Sequence, residues 1–167
     1  MVATGTSSGL VMLAAQYWGK QDTESIRTLH GIALRISAVC GLIFSIAAMF
    51  FPHLLMKIFT DEVDLINTGS KYLRAVSFSY FFFAVSQVFQ AGFKSIERVK
   101  IVTIMTTTAL SLNIFLNAVF IFGWFGLPQM GIVGVGLATT ISRAVELIFC
   151  LIYAKTQKDV KFRLTNV

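Results

Sequence analysis

Residues 101–142 contain not one Asp, Glu, Lys or Arg. At about 1.5 Å per helical residue, such a stretch crosses a hydrocarbon core of about 30 Å twice. Gly123, Gly126, Pro128 and Gly131 cut it in two, because glycine and proline break helical runs. The halves predict membrane spans over 101–123 and 132–154. A short outer hairpin, 124–130, joins them, with Trp124 as an interface anchor. Two further apolar runs reach spanning length. One covers 31–52, with Arg35 near its start and Pro52 at its end; the other covers 73–93, free of charge from Ala75 onward. Residues 1–18 carry no charge but are rich in Thr, Ser and Gly. They lack the basic start of a signal peptide and read as the later part of a spanning helix. Gly5 and Gly9 are spaced to let another helix come close. The expected fold class is therefore all-α: a polytopic membrane helical bundle of about four full transmembrane helices plus a partial N-terminal one. Residues 1–167 form a single membrane domain.

Composition leads the same way. Apolar residues make up 56% of the 167, charged residues 13%, and mean hydropathy is +0.75. A water-soluble globule of this size could not hide that much apolar surface, and a disordered chain would not carry it. Cys40 and Cys150 lie inside apolar runs, where they read as free thiols.

The net charge is +6, and the basic residues sit mostly between the apolar runs. There is no basic stripe or aromatic–basic module, so nucleic acid is not an expected partner. Lysine and arginine instead predict orientation. Loops 19–35 and 94–100 and the tail 155–167 hold Lys20, Arg27, Arg35, Lys94, Arg98, Lys100, Lys155, Lys158, Lys161 and Arg163. The opposite side holds only Lys57, Lys71 and Arg74. The richer side is expected to be cytoplasmic, in a multi-pass protein of the cell membrane. Loop 52–72 then faces outward as a solvated segment with Asp61, Glu62 and Asp64, in which Thr60 or Asp61 caps a short surface helix.

Enzyme chemistry finds little support. His30 and His53 stand at predicted span ends, outside any HExxH pattern. There is no GxSxG and no P-loop, so no catalytic, metal or cofactor-binding residues are assigned. Gly131, Gly134 and Gly136 open an apolar helix and read as packing residues. Gly134, Ala138 and Ser142 continue that small-residue stripe.

The informative residues are polar groups inside the spans, which are costly in hydrocarbon and so face other helices or a wet cavity. Thr106, Asn113 and Asn117 share one helical face. Their amides and hydroxyl suit a substrate or ion path, or equally interhelical hydrogen bonds. Ser79, Phe83, Ser86 and Gln90 share another face and allow the same two readings. Arg143 and Glu146, three apart, can pair on one helix, either as a functional site or as a structural pair.

Several segments resemble multidrug and toxic compound extrusion (MATE) transporters. Residues 7–22, SSGLVMLAAQYWGKQD, are similar to the end of that family's second helix. Residues 52–72, PHLLMKIFTDEVDLINTGSKY, resemble its outer loop between helices three and four. LNIFLNAVFIFGWFG (112–126) resembles its fifth helix, and GIVGVGLATTISRAVE (131–146) its sixth. The resemblance implies two six-helix lobes around a central cavity, with sodium ions or protons exchanged for organic, often cationic, small molecules. No cofactor beyond that coupling ion is implied. This chain would be part of the first lobe, from partial helix two to helix six. Its partners would be the lipid bilayer, the missing first helix and the second lobe. Asn113 matches the family's helix-five asparagine, whereas Asn117 stands where several members carry aspartate. Gln16 and the Arg143/Glu146 pair also fit the family pattern. A lipid-linked precursor flippase of the same fold group, or a small membrane scaffold subunit that transports nothing, are the alternatives.

Overall fold

A computed structural model describes residues 2–123 and 129–156, with side chains from Thr4 onward. The expected anchor Trp124 and the tail beyond Thr156 lie outside the described residues. The described chain is all-α: α1 (Val2–Gly19), α2 (Thr23–Phe50), α3 (Pro52–Lys57), α4 (Val63–Ser95), α5 (Val99–Phe122) and α6 (Gly131–Thr156). Four of these, α2, α4, α5 and α6, are long and apolar enough to cross a membrane. The protein is a membrane helical bundle.

Each helix begins or ends for a local reason. Gln21 turns the chain out of α1 at φ 58°. Asp22 then caps α2, its carboxylate accepting from the Ser25 backbone N–H at 3.0 Å and from the Ser25 hydroxyl at 2.6 Å. This cap starts α2 eight residues before the expected span, because a membrane helix can run on past the apolar core wherever its first N–H groups find acceptors. Phe51 ends α2, and Pro52 opens α3 at a position where its missing N–H costs nothing. The expected cap of the short outer helix by Thr60 or Asp61 is therefore corrected. That helix precedes both residues, and Thr60 instead accepts from the Glu62 N–H at 3.2 Å.

Most of the expected outer loop 52–72 is also helical. Its second half is the start of α4, where Ile66 and Ser70 are buried. The Ser70 hydroxyl bonds His53 Nδ1 at 3.1 Å, and Met56 packs onto Gly69. These contacts give 63–72 a partner in α3, so it has reason to be helix rather than a solvated loop. Gly123, at φ 69°, closes α5 with the left-handed turn that suits glycine.

Helix α4 is the hub, touching all five other helices. His30 beside Phe89 and Gly41 beside Ala84 show that α2 runs antiparallel to α4. Gly136 beside Ala75 and Tyr153 beside Phe93 show that α6 runs parallel to it. Helix α5 is antiparallel to α6, with Met105 near Cys150 and Gly134 near Phe120. The apolar core gathers where α1, α2, α4, α5 and α6 converge, around Ile26, Val88, Phe89, Phe93 and Cys150.

Small residues bring the helices together. A Cβ at Gly41 would sit 2.8 Å from Ala84 Cβ, and one at Gly136 would sit 2.7 Å from Ala75 Cβ. Gly134, Ala138 and Ser142 are all buried. Nothing among the described residues lies within 4 Å of a Cβ built on Gly5 or Gly9, so their face of α1 is open there.

Candidate functional site

Two polar clusters sit within the apolar helices, and both involve α6. In the first, the Glu146 carboxylate is 1% exposed. A buried carboxylate alone would lose several kcal/mol of hydration, and here both its oxygens are satisfied. Gln90 Nε2 of α4 donates to Oε1 at 2.7 Å, and Arg143 Nη1, one helical turn back, donates to Oε2 at 2.7 Å. Arg143 also lies over the face of Phe83, 4.8 Å from the ring centroid, where the ring's electron-rich face attracts the cation. The cluster joins α4 to α6 and is electrically neutral as a unit.

The second cluster joins α5 to α6. Asn117 Nδ2 donates to Asn113 Oδ1 at 3.1 Å, and Asn113 Nδ2 to Thr139 Oγ1 at 3.4 Å. Thr139 in turn donates to the Val135 carbonyl at 3.0 Å. Asn117 Oδ1 is buried and accepts no hydrogen bond among the described residues, which makes it the open acceptor of the ladder. Beside this seam the Thr140 hydroxyl bonds the Ala75 carbonyl of α4 at 2.9 Å.

A cavity of about 540 Å³ lies between α2, α4 and α6. Its wall includes Cys40, Tyr80, Phe83, Thr139 and Arg143, so it reaches both clusters. A volume within the usual range of about 300–1,000 Å³ suits a small organic molecule.

The candidates from sequence divide accordingly. Gln90, Arg143 and Glu146 meet in one cluster, and Asn113 and Asn117 in the other. Thr106 shares the α5 face but is exposed and joins neither. Ser79 and Phe83 line the cavity, while Ser86 is fully buried with its hydroxyl unbonded. Gln16 is exposed. His30 is buried edge-on against Phe89, and His53 is tied to Ser70. Thr139 and Tyr80 escaped the sequence reading, and Cys40 was read there only as a free thiol. Thr139 stands one helical turn before Arg143, and that spacing was the available signal.

A MatE family model matches residues 1–119. The chain belongs to the MatE family. It is 29% identical over 163 residues to the probable multidrug resistance protein NorM of Listeria monocytogenes, covering 92% of this chain and 35% of that protein. It is 25% identical over 158 residues to the probable multidrug resistance protein YoeA of Bacillus subtilis, covering 92% and 33%. The chain thus spans about a third of the length of these MatE relatives. Its fold matches an inward-facing multidrug resistance MATE family transporter of the MOP superfamily with a TM-score of 0.85 at 20% identity, over 97% of this chain and 36% of that one. An outward-facing structure with the same family description matches with a TM-score of 0.84.

Proposed function

We propose that this chain is part of a Na+- or H+-coupled antiporter that exports organic, often cationic, compounds across the cytoplasmic membrane. The observation that carries the reading is the α5–α6 ladder, with the open Asn117 carbonyl oxygen at its end, in a MatE family chain. The multidrug resistance relatives support the substrate class. The equal fit to inward- and outward-facing folds supports export by rocking of lobes as units. An amide oxygen can coordinate sodium but holds no proton, so a proton would have to be carried by other residues. The bilayer, a further helix and a second lobe complete the transporter in this reading. The connections 20–22 and 96–98 face the cytoplasm. Gln21→Cys and Glu97→Cys then react with a membrane-impermeant maleimide only in inside-out vesicles; labelling in right-side-out cells refutes the orientation.

The export test uses the gene product that carries this chain and measures ethidium efflux from loaded cells. Asn113→Leu and Asn117→Leu are expected to reduce efflux by about tenfold, the effect of losing about 1.4 kcal/mol of binding, with the protein still expressed and folded in the membrane. Full efflux in both variants removes the ladder from the transport path.

A further inference from the structure

We propose that the groove between α2 and α6, floored by α4, binds an amphiphilic carboxylate that enters from the bilayer. Its head would rest on the Arg143 guanidinium and its apolar body along Phe44, Tyr80 and Phe83. The inference goes beyond export, because it concerns a ligand and its charge whether or not that ligand is carried across.

The balance of donors and acceptors carries it. Both Glu146 oxygens are occupied, and the residue is 1% exposed, so it offers no acceptor to a cation in the cavity. Arg143 is 35% exposed on its side chain and lines the cavity. Among the described residues only one of its nitrogens, Nη1, is hydrogen-bonded, although a guanidinium carries five N–H donors in a fork that matches a carboxylate. A second cavity of about 360 Å³ lies between the same three helices and is walled by Arg35 with Leu34, Phe81, Val85 and Leu147. Arg35 is exposed and has no ion pair among the described residues. No acidic side chain lines either cavity. Each cavity therefore offers one guanidinium and no free carboxylate beside apolar side chains, where a dielectric below that of water strengthens a charge pair. A cation there would find no free carboxylate; an anion would meet unspent donors.

The mouth points to the source. Phe44 lines the cavity and is 59% exposed, beside Ile43 at 60%. On a helix long and apolar enough to span, an exposed apolar rim of this kind is open to acyl chains, which is the route the proposal gives a bilayer-dissolved amphiphile.

The test uses the native gene product in zwitterionic micelles and reads dansyl fluorescence at about pH 8, where a carboxylic acid is ionised. The probes are dansyl-undecanoic acid, its methyl ester and a dansyl-alkylamine. The acid is expected to bind about tenfold or more tighter than the ester, the discrimination of one charge-assisted hydrogen bond, and the amine weakest of the three. Glu146→Gln removes the negative charge that neutralises Arg143 and tightens the acid further. Because Arg143→Gln alone would strand a buried carboxylate, the decisive variant is the double Arg143→Gln/Glu146→Gln. It removes both charges together and brings the acid to the level of the ester, with ester binding unchanged. Bound acid also slows maleimide alkylation of Cys40 in the cavity wall. Equal binding of acid and ester, tighter binding of the amine, no binding of any probe, a preference that survives the double variant, or an unprotected Cys40 each overturns the proposal. Ethidium efflux is read separately: its absence alongside intact acid binding refutes only the export reading.

Discussion

Gly136→Ala tests how α4 and α6 are held together. The new Cβ would lie 2.7 Å from Ala75 Cβ, 3.3 Å from the Tyr72 carbonyl oxygen and 3.3 Å from the Val76 nitrogen. An ordinary carbon–carbon contact is about 3.5–4.0 Å, so the two helices must part by about 1 Å. Two of the three obstructing atoms are backbone, and no rotamer change relieves them. The same parting stretches the bond from Thr140 Oγ1 to the Ala75 carbonyl, 2.9 Å in the native packing. Overpacking of this kind costs about 1–3 kcal/mol, and the weakened hydrogen bond about 1 kcal/mol more. Alanine's better helix propensity returns about 1 kcal/mol, for a net loss of about 2 kcal/mol. Gly9→Ala is the matched control: it makes the same exchange where nothing lies within 4 Å, so only the propensity gain remains. Equilibrium unfolding in mixed SDS micelles should place Gly136→Ala well below the parent and Gly9→Ala at or above it. If Gly136→Ala unfolds at the same SDS fraction as Gly9→Ala, close approach at Ala75 does not hold these helices, and the reasoning fails.

Three further outcomes follow from the same structure. Glu146→Ala leaves Arg143 and Gln90 without their acceptor and should cost about 3 kcal/mol, the low end for a broken buried pair, because Arg143 stays partly exposed; the SDS titration reads this directly. Asp22→Ala should fray the first turn of α2, raising amide exchange at Ser25 and Ile26. The Ser25 hydroxyl, then its N–H, hold the Asp22 carboxyl below the usual carboxylate range. The cap is therefore present above the ordinary aspartate value and lost as pH falls through the lowered one, so acid should reproduce the exchange of Asp22→Ala. Maleimide should modify Cys40, which is half-buried, and leave Cys150, which is fully buried, unmodified until SDS unfolds the bundle, as read by intact mass.

The sequence by itself determined the class of the protein. Charge-free runs of spanning length, broken by Gly123, Pro128 and Gly131, admit helices in a bilayer and little else, because lipid leaves no other way to satisfy the backbone. The order of its motifs was enough to mark the family. Helical periodicity also told which polar residues share a face, as with Asn113 and Asn117. It could not tell what each face meets. Gln90 and Glu146 are 56 residues apart. They touch because α4 and α6 run parallel and Gly136 lets them close on Ala75. Gly5 and Gly9 carry an equally inviting spacing and meet nothing among the described residues. The same limit hid Thr139, whose role depends on Asn113 arriving from α5. Ends were misplaced for a related reason: 63–72 is too polar to be a membrane span, yet it is helix because α3 packs against it. Periodicity fixes the direction of a side chain about its own axis; the rotation, depth and neighbour of each helix come only from how small and large residues interlock.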